Sequence, residues 1–146
     1  MSVEDNIAVV RGHLDALSSG DVEGAVACWA PVAQNHSHPV NRDAIHRVME
    51  SLCALRERHT IEEIVATGDA VVCRTTCQGV HAAAPELPGN GGILVGVPPT
   101  RREYIVQRIH IFHVKDGLIV AHFANRDDLG MARQLAFRIE PPEPLP

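Results

Sequence analysis

Arg108 to Asp128 reads RIHIFHVKDGLIVAHFANRDD, two runs of β-branched and aromatic residues around Asp116-Gly117. An Asp-Gly pair between apolar runs is a strong hairpin sign, because its turn positions take positive φ. Side chains alternate along a strand, so Tyr104, Val106, Arg108, His110, Phe112 and Val114 share one face. Ile105, Gln107, Ile109, Ile111 and His113 share the other. After the turn, His122 lies on the side of Leu118, Val120 and Ala124. A two-residue loop pairs Lys115 with Leu118 and sets His113 beside Val120. A three-residue loop, with Gly117 left-handed, pairs Val114 with Leu118, His110 with His122 and Arg108 with Ala124. The second register is preferred: it gathers Arg108, His110 and His122 on one face and leaves Ile109, Ile111, Ile119 and Phe123 as a uniform apolar face on the other.

Upstream, TIEEIVATGDAVVCRTTCQGVH holds two β-branched runs around Gly68-Asp69, a second hairpin signal. The first third has a helical period instead. Ser2 and Asp5 form a capping-box pattern ahead of Ile7, Val10, Leu14 and Leu17, and Ser19-Gly20 ends that helix. Asp21 is placed to cap a short helix with the stripe Val22, Ala25, Val26 and Trp29, ended by Pro31. Asn41 is placed to cap a third, on which Ile45, Val48, Met49, Leu52 and Leu55 repeat. VAQNHSHPV interrupts these helices, and AAAPELPGNGGILVGVPPT reads as a long loop with a short strand or none. Helices followed by consecutive antiparallel strands predict an α+β architecture. The boundaries expected are one domain over residues 1–137 and an extended Pro-rich tail over 138–146.

The chain has 146 residues, 45% of them hydrophobic, a net charge of -5, one Trp and one Tyr. Such a length buries one core. With no basic run, no nucleic-acid or anionic-membrane partner is expected. MSVEDNIAVVRGHLDALSSG has neither the basic nor the continuous apolar segment of a signal peptide. Cys28, Cys53, Cys73 and Cys77 lack C-x-x-C spacing and read as reduced core residues of a cytoplasmic protein.

IHIFHVKDGLIVAHFANRDDLGMARQL (Ile109 to Leu135), GDAVVCRTTCQGVH (Gly68 to His81), GVPPT (Gly96 to Thr100) and QNHSHP (Gln34 to Pro39) together resemble, in order, the SnoaL-like polyketide cyclase family. The fold implied is the nuclear-transport-factor-like cone, an α+β fold with N-terminal helices packed in a curved antiparallel sheet. The activity implied is intramolecular aldol closure of polyketide rings, without metal or cofactor, in an apolar cavity. Relatives on this cone include hydroxylases, isomerases and epoxide hydrolases. Carried over by position, the resemblance puts His110 and His122 on the family's two cavity histidines and Asn35 on its cavity asparagine. Ala124 stands where the family has its acid/base aspartate, and Arg108 where it has a glutamine. Family members are commonly dimeric.

The function expected is a small cofactor-independent enzyme of polyketide or other secondary-metabolite biosynthesis, performing cyclisation or isomerisation on an apolar or polycyclic substrate. The alternatives are a hydroxylase-like accessory enzyme or a non-catalytic small-molecule binding protein. Proton abstraction beside a carbonyl needs a base and a donor for the enolate oxygen. His110, His122 and Asp127 are the catalytic candidates; Asn35, His36, Arg108, Trp29, Tyr104 and Phe112 are the substrate-binding ones. Each has a plainer reading beside it: the two histidines as hydrogen-bond partners of each other, Asp127 as a helix cap, Asn35 and His36 as turn formers, Trp29 as core. His13, His46 and His59 read as surface residues. The apolar outer stripe, Ile105, Ile109, Ile111, Ile119 and Phe123, is expected to join two copies as a homodimer.

Overall fold

The structure, a computed structural model, describes residues 2–85 and 92–144. Helix α1 (Val3–Ser19) starts at Ser2, whose hydroxyl accepts from the Asp5 N–H while Asp5 accepts in return, and ends at left-handed Gly20. Asp21 caps α2 (Val22–Ala27), and Asn41 caps α3 (Arg42–Ala54). The segment between α2 and α3 is not an interruption but a hairpin, β1 (Trp29–Asn35) and β2 (His38–Asn41). Trp29 therefore opens a strand instead of closing α2. Pro31 is tolerated because this strand lies near the sheet edge, where only part of its length is paired.

The remaining strands are β3 (Arg58–Thr67), β4 (Ala70–Val80), β5 (Glu103–Lys115) and β6 (Leu118–Arg126), with α4 (Asp128–Gln134) behind them. They form one six-stranded sheet in the order β2-β1-β6-β5-β4-β3, antiparallel except for the β1–β6 pair. The helices α1 to α3 fill its concave face. There Val10, Leu14, Leu17, Val26, Trp29, Met49, Phe112 and Ile119 form the main core. A second cluster, Leu55, Cys77, Leu94, Tyr104, Val106, Met131 and Leu135, closes the other end. All four cysteines are free thiols, Cys73 and Cys77 fully buried.

The β5–β6 turn corrects the expected register. Asp116 (φ 50) and Gly117 (φ 79) form a two-residue loop that pairs Lys115 with Leu118 and Val114 with Ile119. A register shift at Val120 then sets His113 opposite Ala121, Phe112 opposite His122, His110 opposite Ala124 and Arg108 opposite Arg126. A two-residue loop with both φ positive matches the twist of paired strands, and the bulge supplies the one-residue change of face that the three-residue loop was expected to give. Ile119 is consequently buried against Trp29 and leaves the outer stripe. His113 still faces away from His122, beside Asp69. The outer face retains Ile105, Ile109 and Ile111 as exposed apolar residues, joined by Val65.

Of the 82–95 segment, residues 86–91 lie outside the described part, and Ile93 and Leu94 pack on the second core cluster. Residues 138–144 carry no helix or strand, and residues 145 and 146 lie outside the described part.

Gly79 of β4 faces Tyr104 of β5, and a Cβ there would meet the phenol ring and hydroxyl at 2.5 Å. Only glycine lets that ring lie flat across the strand. Gly79→Ala is expected to lower stability by about 1–3 kcal/mol, seen as a fall in melting temperature; an unchanged melting temperature would show that the ring is free to move aside.

Candidate functional site

Inward-facing residues of the sheet and the inner stripes of α1 and α3 enclose one cavity. Its wall includes Leu14, Leu17, Met49 and Leu52 from the helices, Trp29 and Asn35 from β1, and His110, Phe112, His122 and Ala124 from β5 and β6. Its empty space, open mouth included, is about 510 Å³. That is the size range of a small-molecule site, part of it open to solvent.

Along the floor runs a line of hydrogen-bonded side chains. Asn35 Oδ1 lies 3.1 Å from His122 Nδ1, His122 Nε2 lies 3.0 Å from His110 Nδ1, and His110 Nε2 lies 3.3 Å from Thr75 Oγ1. Each neutral imidazole has one donor and one acceptor, so a single choice fixes all. With the Asn35 oxygen accepting from His122 Nδ1–H, His110 Nδ1–H donates to His122 Nε2, and the Thr75 hydroxyl donates to His110 Nε2. Phe112 stacks on both rings, 5.7 Å from His110 and 4.6 Å from His122. Burial pushes the His110 imidazole down to about 3, with His59 and Arg108 acting in the same direction. Burial and then His110 hold His122 well below its ordinary range. Both rings are neutral at physiological pH.

Beyond His110 lies a charged group that the sequence did not announce. Arg108 grips Glu57 with two guanidinium nitrogens, Nη2 to Oε1 at 2.6 Å and Nη1 to Oε2 at 2.9 Å, and the Tyr104 hydroxyl donates to Glu57 Oε1 at 2.7 Å. Burial alone would raise the Glu57 carboxyl, but the Arg108 guanidinium overrides it and holds the group well below the carboxylate range. His59 Nε2 stands 3.6 Å from Glu57 Oε2, and the His59 side chain is 2% exposed. Glu57, His59 and Cys77 donor atoms lie within 4.8 Å of one another, close enough for a cation. Arg108 already supplies the positive charge at that carboxylate, and burial pushes the Cys77 thiol far up, so the trio is poorly suited to a metal.

The structure thus brings together His110, His122, Asn35, His36, Arg108, Trp29 and Phe112 around one cavity. Two candidates fall elsewhere. Asp127 is exposed and accepts from the Gly130 N–H at 2.8 Å as the cap of α4, outside the cavity wall. Tyr104 is buried in the second cluster, its hydroxyl committed to Glu57. Arg108 reaches the wall, but its guanidinium is engaged by Glu57 and not simply offered to an enolate.

Two histidines read as surface residues are interior. His13 is buried, bonds the Ala25 carbonyl at 3.1 Å and meets Trp29 and Phe112 edge-on; burial pushes it down to about 4. Its position among Val10, Leu14 and Leu17 on one helical stripe was the available signal. His59 leads an inward alternation with Ile61 on β3, hidden in RERH by the flanking arginines. His46 is half-exposed beside Glu23 and Glu50.

The SnoaL-like domain model matches residues 10–122, more than three quarters of the chain. The chain belongs to the SnoaL-like family. Among solved structures of SnoaL-like shape, TsrD from Streptomyces laurentii is 23% identical, with a TM-score of 0.74 over 92% of this chain and 97% of that one. IdmH from Streptomyces antibioticus, described as a candidate polyketide cyclase, is 28% identical, with a TM-score of 0.69 over 90% and 98%. AclR from Streptomyces galilaeus, a candidate hydroxylase, is 22% identical, with a TM-score of 0.72 over 92% and 98%. No curated protein matches the chain. Among the described residues, no helix is long and apolar enough to cross a membrane.

The lowered imidazoles tie stability to pH. His13 and His110 bind protons more weakly folded than unfolded, so the unfolded chain takes up more protons below about pH 6.5 and stability falls with pH through that window, by at most about 1.4 kcal/mol per pH unit for each ring. Glu57 acts below that window, its depressed carboxyl losing its contribution as pH falls below about 4.5. The urea midpoint is expected to be level above pH 7, to fall from pH 6.5 to 4, and to fall less steeply in His110→Asn. A midpoint unchanged between pH 7 and 5 would contradict the neutral interior.

Proposed function

We propose that the protein is a cofactor-independent proton-transfer enzyme of polyketide or other secondary-metabolite metabolism, acting on an apolar, carbonyl-bearing small molecule by aldol-type cyclisation or isomerisation. The observation that carries this reading is the chain of neutral imidazoles inside an apolar cavity. A neutral imidazole N–H is a suitable donor to a carbonyl whose oxygen gains charge, since it polarises the carbonyl without transferring a full proton at the outset. Asn35 ends the chain on the cavity wall. A substrate oxygen that takes the place of Asn35 Oδ1 receives the His122 Nδ1–H, and His110 and Thr75 fix the tautomer from behind.

Ala124 supports the same division of labour. It faces His110 across the strands and lines the cavity, so the space held by a carboxylate in the resembling cyclases is open to substrate here. The polarising group in this chain is an imidazole, and no carboxylate is needed beside it. Homodimerisation through the exposed Ile105, Ile109 and Ile111 face belongs to the same proposal, because a solvated monomer rarely leaves such a stripe uncovered. Light scattering at micromolar concentration is expected to give twice the chain mass, and Ile109→Glu the single mass; a monomeric wild type would contradict it.

The test of the function uses 2-tetralone, a bicyclic ketone, in D2O, with loss of the α-proton signals followed by NMR. The protein is expected to accelerate exchange over buffer. His122→Ala is expected to lose about a hundredfold or more. Asp127→Asn, which keeps a good helix cap, is expected to stay near the wild-type rate. Melting temperatures recorded in parallel separate lost chemistry from lost structure. No acceleration by the wild type would leave the cavity as a binding site only, and a rate abolished by Asp127→Asn in a folded protein would move the chemistry to that carboxylate.

A further inference from the structure

The imidazole chain that polarises a carbonyl has no spare nitrogen with which to take a proton. Both nitrogens of His110 and both of His122 are within hydrogen-bond distance of a protein partner. His59 differs from both. It lines the same cavity, its side chain is 2% exposed, and among the described residues its Nδ1 has no hydrogen-bond partner while its Nε2 has only Glu57 Oε2, 3.6 Å away, beyond a normal hydrogen bond. Buried polar atoms in folded proteins are seldom left this way, and one cost of doing so is about 1–3 kcal/mol. The Trp29 indole nitrogen is a second buried cavity-wall group without a partner among the described residues. Two orphaned groups on one wall point to a ligand that satisfies them.

We propose that His59 is the base of this site and that Glu57 is its positioning residue, an inference that rests on the proton-transfer reading above. His59 Nε2 is the nitrogen near Glu57, so an N–H on that side leaves the Nδ1 lone pair as the acceptor. In the step assigned here, Nδ1 takes the proton from the carbon beside a substrate carbonyl. The C–H electron pair becomes the new C=C bond, and the carbonyl π pair moves onto oxygen, which the His122 Nδ1–H holds. The imidazolium formed stands 3.6 Å from the ionised Glu57, where a charge pair shortens readily. The proton then returns, to another carbon in an isomerisation, or to the alkoxide formed when the enolate carbon attacks a second carbonyl in a ring closure. No oxidant, reductant or other reactant is consumed.

Glu57 suits this role because its own charge cannot be neutralised by the proton it helps to hold. Arg108 and Tyr104 fix the carboxylate in place and low in basicity, so the proton stays on His59, from which it can be given back. His59 itself is held by its backbone N–H, which donates to Ser18 Oγ at 2.8 Å, and its ring lies 6.1 Å from that of His110 at a steep angle. The titratable and charged groups around it are Glu57 just before its own strand, His13 from α1, Cys77 from β4, and Arg108 and His110 from β5.

Phenacyl bromide, an α-haloketone, tests this on the intact wild-type chain. The base displaces bromide, a C–N bond forms as the C–Br bond breaks, and mass spectrometry of peptides locates the adduct. His59 is expected to be alkylated faster than exposed His38, with His110 and His122 unmodified. Alkylation of His110 or His122 while His59 stays untouched, or no adduct on His59 at all, overturns the proposal. In the 2-tetralone exchange assay, His59→Gln is expected to fall about a hundredfold with its melting temperature preserved. A wild type that exchanges while His59→Gln keeps the full rate overturns His59 as base and leaves the carbonyl-polarising role of His122 standing. A wild type that exchanges nothing overturns the proton-transfer function, and the labelling result alone then decides whether His59 meets the ligand. Glu57→Gln is expected to lower kcat of the 2-tetralone exchange with KM unchanged, because the imidazolium formed in the step loses its counter-charge; an unchanged kcat in the folded variant assigns Glu57 a structural role only, and wild-type labelling decides His59 whether or not that variant folds.

Discussion

Glu57 and Arg108 bury opposite charges where the α3–β3 connection meets β5, and much of the interior is arranged around that pair. Removing either partner would strand a charge in a dry place at a cost of about 3–5 kcal/mol. The pair is therefore fixed in position more firmly than any surface ion pair. Tyr104 adds a third contact, and Gly79 is what allows the tyrosine ring to reach it. Through these contacts one carboxylate ties α3, β3, β4 and β5 together at the end of the cavity. The same pair sets the local electrostatics: its positive member disfavours a proton on His110, and its negative member stands 3.6 Å from His59.

A division between two kinds of imidazole follows. His110 and His122 face each other in a stack with Phe112, paired in both directions, and are poor bases for the physical reason that burial and each other's presence penalise the charge. They remain competent donors. His59 has no such partner and has a counter-charge behind it. A cavity with one polarising end and one basic end is what enolisation asks for, and the apolar walls between them keep water from competing for either.

Most of the fold was legible because local signals agreed with one another. The Ser2 and Asn41 caps, the Gly20 stop and the Gly68-Asp69 turn are each short-range chemistry, and each stands where it was read. What was not legible needed tertiary information. Trp29–Asn41 has too few residues, and two prolines, to announce itself as a hairpin, and it becomes one only because β6 offers a free edge to pair with. The bulge at Val120 leaves no mark in the sequence; it is set by the need to bury Ile119 against β1 and His122 in the cavity at once. Its effect kept the side of His110 and His122 as expected while changing their partners. Glu57 was hidden because a carboxylate between two arginines resembles solvated surface, and only the sheet brings Arg108 to it. The inward strand rhythm of His59 and Ile61 is the one mark of this group that the sequence carries.

Nitrogen-15 NMR of the histidine rings tests the central claim, that the cavity holds its imidazoles neutral and in one fixed tautomer order, most directly. In uniformly labelled protein between pH 7 and 5, His110 and His122 are expected to show one protonated and one bare nitrogen each, unchanged across the range. An imidazolium signature on either ring at pH 6, or rapid exchange between tautomers in both, would contradict the account.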